Sequence, residues 1–177
     1  MFKVAMGLMS AGVLFASVPA LAHGQEIGND LDRCGASAKG PAVLVDVRGF
    51  AASTGKVRVQ SYPATKTAWL AKGAWLNRID TVVRPSNGGM RFCMPVPEPG
   101  RYAIAVRHDR DGNGKTSFSR DGGGFSNNPS ISIFNLGKPS VDKAAVKVGP
   151  GVTHITIKLK TQGRCILAQP NSDSPNS

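Results

Sequence analysis

The sequence predicts an all-β domain, a single antiparallel β-sandwich of about seven strands with one long loop rich in glycine and asparagine. Short runs with apolar residues at alternate positions recur along the chain, and glycine, proline or asparagine separates them. Such runs are typical of half-buried strands joined by turns. We find no amphipathic segment long enough for a core helix. Regular spacing of short strands indicates two packed sheets.

Strict alternation predicts the clearest strands. In segment 56–62, valines alternate with lysine, arginine and glutamine. In segment 101–107, bulky apolar residues alternate with Ala103 and Ala105, whose small size predicts that another element packs closely against them. The predicted strands are 43–47, 56–62, 90–94, 101–107, 144–148 and 153–159. Segments 67–70 and 75–79 are weaker candidates, each either a strand or a single helical turn. The last two strands are expected to form a hairpin around 149–151, and 87–89 predicts another chain reversal.

The N-terminus has the features of a secretory signal. Residues 1–22 contain one charge, Lys3, before an apolar run, and they end in the small residues of a cleavage site. The run is shorter than the roughly 20 residues that span a bilayer. We expect cleavage after residue 22, a periplasmic or secreted location, and no later transmembrane span. Residues 23–41 are interpreted as an extended leader, 42–165 as the sandwich domain, and 166–177 as a disordered tail.

The chain is basic, with 22 Lys and Arg residues against 11 Asp and Glu residues and a formal net charge of +11. This balance favours anionic envelope partners such as lipopolysaccharide or an acidic glycan; an envelope protein is a further candidate. The charges are spread singly and do not alternate with aromatic residues, so we expect no nucleic-acid partner. A solvated basic surface without a ligand is the alternative interpretation.

The segment 108–138 interrupts the spacing of the strands. It is far longer than the roughly 12–15 residues at which unstructured loops become uncommon, and such a segment is usually functional or disordered. Its first part begins like a calcium-binding loop, with oxygen-bearing side chains at alternate positions followed by Gly114. Arg120 stands where the twelfth-position glutamate is expected. The candidate ligands are Asp109, Asp111, Asn113, the Lys115 carbonyl, Ser117 and Asp121.

Two other interpretations of this loop stay open. The aspartates can accept backbone amides in Asx turns, and the basic residues nearby oppose a cation. The glycines at 122–124 suit an anion-binding nest. The remaining candidate ligand or anchor residues are His108, Phe125, Asn127 and Asn128; for Phe125 we favour an anchoring role.

Catalysis is not expected. A hydrolase could pair His108 with Asp109 or Asp111 as acid and base. Adjacent residues of a strand point to opposite faces, however, and no nucleophile with a neighbouring base is present. Three cysteines, Cys34, Cys93 and Cys165, allow one disulfide and always leave one thiol over.

Several segments resemble the bacterial exported family of unknown function numbered 2141. They are PGRYAIAVRHDRDGNGK at 99–115, GFSNN at 124–128, LGKPS at 136–140 and ITIKL at 155–159. The resemblance covers about residues 42–160 and implies an immunoglobulin-like or transthyretin-like sandwich without an established activity. It also implies a Cys34–Cys93 bridge. The loop is less acidic than is usual in the family, which weakens the calcium interpretation.

The leading hypothesis is therefore a non-catalytic, exported module of the cell envelope. It would bind a ligand, an ion or a partner through the 108–138 loop, and Ca²⁺ is the candidate cofactor. Besides the hydrolase, the alternative is a structural interaction domain that adds a strand at a sheet edge. Lysines scattered along the predicted strands disfavour the addition of a further strand at such an edge.

Overall fold

A computed structural model of the chain describes residues 24–117, 119–130 and 137–161. The predicted signal, the predicted tail and Cys165 lie outside these residues. Ten strands form two facing sheets, and the prediction of an all-β sandwich is confirmed. The strands are β1 (Gln25–Glu26), β2 (Ala42–Arg48), β3 (Lys56–Pro63), β4 (Asn77–Val82), β5 (Gly89–Pro95), β6 (Gly100–Asp109), β7 (Gly122–Phe125), β8 (Ala145–Val148), β9 (Val152–Lys158) and β10 (Lys160–Thr161).

Helical structure is limited in the described ranges to a 3₁₀ turn, Leu31–Cys34, and one short helix, α1 (Val141–Ala144). Neither is long enough to cross a bilayer.

The larger sheet has the strand order β1-β4-β3-β6-β7-β10. Strand β8 also pairs with β6, along residues 100–103, whereas β7 pairs with residues 105–108 of the same strand. The smaller sheet has the order β5-β2-β9. The long strand β6 therefore contacts three partners, and the two short ones occupy successive parts of one edge.

Alternate residues of the strands fill the space between the sheets. Val43, Val45 and Val47 of β2 are completely buried, as are Phe92 of β5 and Ile104 of β6. Complete burial of such a side chain contributes about 1.5–3 kcal/mol. The period-two pattern in the sequence thus identifies the residues that hold the two sheets together.

Two details differ from the prediction. Strands β8 and β9 do not form a hairpin, because the chain crosses between them from the larger to the smaller sheet. Strand β9 then runs parallel to β2, so the sandwich is not antiparallel throughout. Residues 67–70, predicted as either a strand or a single helical turn, form a turn. Alternation predicts which face is buried, but it does not determine which strand is the neighbour.

The leader crosses one open side of the sandwich. The Gln25 amide donates to the Leu76 carbonyl, just before β4, and the Ile27 amide donates to the Arg78 carbonyl of β4 in the larger sheet. The Asn29 side chain then contacts β5, at the edge of the smaller sheet, and Cys34 forms a disulfide with Cys93 of that strand. The predicted pairing is confirmed. The leader thereby joins one edge of each sheet.

Removal of this disulfide by Cys34→Ala with Cys93→Ala is expected to lower the free energy of unfolding by about 2–4 kcal/mol. The bond closes a loop with a sequence separation of 59 residues, and long loops lose the most chain entropy when they are cross-linked. Urea unfolding monitored by circular dichroism measures the change. Reduction of the natural chain should give the same loss, and unchanged stability in both cases would contradict the prediction.

Candidate functional site

The loop between β6 and β7 is closed at its base by strand pairing. His108 pairs with Gly122 in the antiparallel register, so Asp109 and Asp121 leave and re-enter the sheet side by side. Asp111, two residues into the loop, turns back toward both. One carboxylate oxygen of each of these three aspartates lies within 4.8 Å of the others. The loop thus gathers an acidic cluster from residues that are up to twelve positions apart.

Asp109 is the buried member of the cluster, with 3% of its surface exposed. Its Oδ2 accepts a hydrogen bond of 2.8 Å from the Gly114 amide and lies 3.6 Å from an Arg107 nitrogen. Its Oδ1 is buried and has no hydrogen-bond partner among the described residues. Burial by itself raises the pKa of Asp109, but the hydrogen bond from the Gly114 amide and the charge of Arg107 outweigh it, and the pKa is lowered.

Asp121 and Asp111 differ in their surroundings. Asp121 is buried and accepts the amides of Arg110 at 3.3 Å and Ser117 at 2.8 Å. Asp111 is exposed, accepts the Asn113 amide and side chain, and lies 3.6 Å from the exposed Arg120. In a standard calcium loop that begins at Asp109, the twelfth position, residue 120, supplies a carboxylate. Here Asp121, one residue later, supplies the carboxylate instead.

The other predicted ligands shape the loop through hydrogen bonds. The Asn113 side-chain oxygen accepts the Lys115 amide at 2.7 Å, and the Ser117 amide donates to Asp121. These contacts are of the Asx-turn type that the sequence also suggests. The structure places Asn113, Lys115 and Ser117 in the loop, and it brings together only Asp109, Asp111 and Asp121 among the acidic side chains described.

Arg107 organises the loop, a role that the sequence pattern did not reveal. Its guanidinium donates to the Thr116 hydroxyl at 3.0 Å and to the Gly114 carbonyl at 3.2 Å. It therefore ties the middle of the loop to β6 while lying beside Asp109. In the sequence Arg107 is one of several basic residues near the aspartates, and nothing in its spacing separates it from the others.

His108 lies away from the cluster. The ring is completely buried, its Nε2 donates to the Thr54 carbonyl at 2.8 Å, and it packs edge-on against Phe50. Because strand neighbours alternate in direction, His108 and Asp109 face opposite sides of β6. The predicted ligand or anchor residue His108 is thus a core residue, and it forms no acid–base pair with Asp109.

The family described as "Uncharacterized protein conserved in bacteria (DUF2141)" matches residues 45–156, which is more than half of the chain. The chain belongs to this family. The resemblance noted in the sequence is therefore confirmed. None of the curated proteins compared with the chain is significantly similar to it.

One solved structure, a provisionally assigned adhesin from Bacteroides ovatus, is distantly similar. The sequence identity is 18%, the TM-score is 0.28, and the match covers 68% of this chain and 44% of the adhesin. A likeness at this level carries no functional argument.

The GFSNN segment of this DUF2141 chain joins the loop to both sheets. Phe125 packs edge-on against Trp69 with 5.6 Å between ring centroids. The Ser126 hydroxyl accepts the Ile104 amide at 2.9 Å and donates to the Ala144 carbonyl. The glycines before this segment lie in β7, where a Cβ on Gly124 would be 2.6 Å from Ile157. Glycine there permits close packing, so the glycines do not form the suggested anion nest.

Asn127 and Asn128 both adopt the left-handed conformation, which asparagine tolerates better than most residues. The Asn127 side chain donates to the Ala145 carbonyl at 2.7 Å. The Asn128 side chain donates to the Thr156 carbonyl and accepts the Lys158 amide, both at 2.7 Å. These two predicted residues therefore serve as anchors, and the second occupies the free edge of β9.

Asn29 occupies the opposite edge of the smaller sheet in the same way. It donates to the Arg91 carbonyl at 2.9 Å and accepts the Cys93 amide at 3.1 Å. Each edge strand thus forms two hydrogen bonds with one side-chain amide, as it would with the backbone of a neighbouring strand. Blocked edges of this kind hinder the addition of a foreign strand.

A row of charges follows the outer face of the larger sheet beside the loop. Asp80 of β4 forms ion pairs with Arg58 at 2.7 Å and with Arg78. Burial alone raises the pKa of Asp80, but hydrogen bonds from both arginines outweigh it, and the pKa is lowered. Asp80 therefore stays ionised within this row.

The edge role of Asn128 predicts that Asn128→Ala destabilises the domain. Asn87→Ala is the matched control, because Asn87 has nearly the same φ, 49° against 48°, and its side chain has no hydrogen-bond partner among the described residues. Both variants place alanine at a positive φ, so the backbone strain is the same in each. Their difference in unfolding free energy, about 1–2 kcal/mol, therefore reports the two hydrogen bonds of the Asn128 side chain. Urea unfolding measures it, and equal losses in the two variants would refute the assignment.

The ion pairs of Asp80 predict acid sensitivity. A carboxyl with a lowered pKa stabilises the fold above its unfolded pKa of about 3.9, and this contribution is lost as the pH falls through the lower folded value. Unfolding free energies measured below about pH 5 should fall less steeply in Asp80→Asn than in the natural chain. Arg58→Gln, which removes one cause of the shift, should flatten the profile in the same direction. Unfolding free energies that fall equally steeply with pH in the natural chain and in both variants would contradict the prediction.

Proposed function

We propose that this chain is an exported, non-catalytic module that binds a divalent cation, with Ca²⁺ as the preferred ion, in the loop between β6 and β7. One observation carries the proposal. The buried Asp109 holds an oxygen that lacks a partner within the described ranges, and it belongs to a cluster with two further carboxylates. A buried, ionised oxygen without a partner is costly, and a cation supplies the missing interaction.

The spacing of the oxygens suits Ca²⁺. Calcium–oxygen distances are about 2.3–2.6 Å, so two ligands of one ion can be up to about 5 Å apart. The three carboxylate oxygens lie within 4.8 Å of one another. A ligand set made of oxygen atoms also fits a hard cation. Asp109, Asp111 and Asp121 would hold the ion, and loop carbonyls or water would complete its coordination.

Positive charge near the loop sets the strength of binding. Arg107 lies beside Asp109, and Arg120 lies beside Asp111. The Arg120 side chain is largely exposed and can move away from Asp111, whereas Arg107 is held in place by its hydrogen bonds to Thr116 and Gly114. The affinity should therefore lie in the range of extracellular modules, on the order of 10⁻⁴–10⁻³ M.

Export and the lack of catalysis have separate support. A disulfide persists in oxidising compartments, and residues 1–22 have the composition of a secretory signal. His108, which precedes Asp109 in the chain, is buried in the core on the opposite face of β6, and this disfavours the hydrolase. The two capped edges of the smaller sheet disfavour strand addition there.

Calcium binding predicts a higher melting temperature. With a dissociation constant of about 1 mM, addition of 10 mM CaCl₂ should raise the melting temperature by about 3–6 °C. The isosteric change Asp109→Asn should abolish this rise, because it removes the buried charge. Asp142→Asn makes the same charge change at an exposed site outside the loop and should retain the rise.

Differential scanning fluorimetry measures these shifts. If Asp109→Asn does not fold, Asp111→Asn at the exposed member of the cluster replaces it. An equal rise in 10 mM MgCl₂ (the same ionic strength) or a rise that survives both changes would refute the proposal.

A further inference from the structure

We infer that the outer face of the smaller sheet binds an acidic polysaccharide. A groove of about 680 Å³ runs over β5, β2 and β9 and includes the turn before β5. It lies on a different sheet from the acidic cluster and shares no lining residue with it. The inference is therefore independent of the proposed cation site.

Two arginines of this groove are free to bind an anion. Arg48 is engaged by Asp46 at 2.7 Å and by the Asn87 carbonyl at 2.6 Å. Arg84 and Arg91 are exposed and form no ion pair with any residue that the structure describes. A guanidinium group binds a carboxylate through two parallel hydrogen bonds, so these two side chains match repeated acidic groups on a polymer.

The other groups in the groove match hydroxyls. Thr156 and His154 offer donors and acceptors on the exposed face of β9. Leu44 and Met90 supply apolar surface for the C–H faces of sugar rings. The groove therefore presents the mixed chemistry of a polyhydroxylated, anionic ligand.

Other classes of occupant fit less well. None of the described residues that line the groove is Phe, Tyr or Trp, so they provide no platform for stacking nucleobases. The groove is an open, half-polar surface, which does not suit acyl chains. Asn29 and Asn128 block both edges of the sheet, so a peptide strand cannot pair there without displacing them.

Binding of polygalacturonate, with dextran as the neutral comparison, tests the inference by isothermal titration calorimetry at low salt with a chelator present. Arg84→Gln with Arg91→Gln should weaken binding about tenfold, because it removes two charge-assisted contacts. Lys66→Gln with Lys72→Gln is the matched control. It makes the same change in net charge at two exposed residues that do not line the groove, and it should change the affinity less than about twofold.

Backbone amide shifts in the NMR spectrum provide a second readout. Polygalacturonate should shift the amides of residues 44–48, 84–91 and 154–156 in the natural chain, which also shows that the folded domain is the binding species. Equal weakening in the two double variants would mean that net charge alone attracts the polymer, and it would overturn the inference. Shifts confined to other surfaces, binding to lipid A vesicles only, or no binding of polygalacturonate by the natural chain would overturn it as well.

Discussion

Strand β6 pairs with β3 along one edge and with β8 and β7 along the other. The core and the candidate cation site both depend on this arrangement. Ile104 and Val106 of β6 fill the space between the sheets, and His108 continues the buried face to the end of the strand. Asp109, one residue later, faces the other way and begins the loop. A shift of one residue in the β6 register would bury Asp109 in the core and expose His108. The hydrophobic pattern of β6 therefore fixes the direction of the acidic side chain.

The smaller sheet poses a different physical problem, because among the residues that the structure describes it has three strands and two edges without a strand partner. Unpaired strand edges attract further strands, and natural sheets block them. Here Asn29 and Asn128 each supply a side-chain amide that donates to one backbone group and accepts from another. The same contacts hold the leader and the loop after β7 against the sheet. Edge protection and the anchoring of the two long connections are thus achieved by the same residues.

The sequence predicted the parts of the fold that depend on side-chain alternation. Strands β2, β3, β5, β6 and β9 were predicted because each is long enough to show a period of two. Strand β7 was missed, since three of its four residues are glycines and leave no pattern of side chains. The pairing of β9 with β2 was missed because alternation does not identify the partner strand.

The candidate site was predictable to a similar extent. Asp109 and Asp111 followed from the spacing of a calcium loop, and Asp121 followed from its position beside the misplaced Arg120. Arg107 could not be identified, because its role depends on the folding of the loop back onto β6. The edge contacts of Asn29 could not be identified either, because they join residues more than sixty positions apart.

The two oxygens of Asp109 make the strongest case that the loop is built for a cation. Oδ2 is fully engaged by the Gly114 amide and by Arg107, so the protein itself stabilises half of the carboxylate. These contacts keep the group ionised although it is buried, and they leave the charge on Oδ1 without a partner in the described ranges. A purely structural Asx turn would need only the Gly114 contact. It would not explain why Asp111 and Asp121 bring two further negative charges against a buried one, since like charges at such distances repel. Arg107 offsets one of the three charges, and the exposed Arg120 lies beside Asp111. When Arg120 moves away, a divalent cation would balance the remaining two.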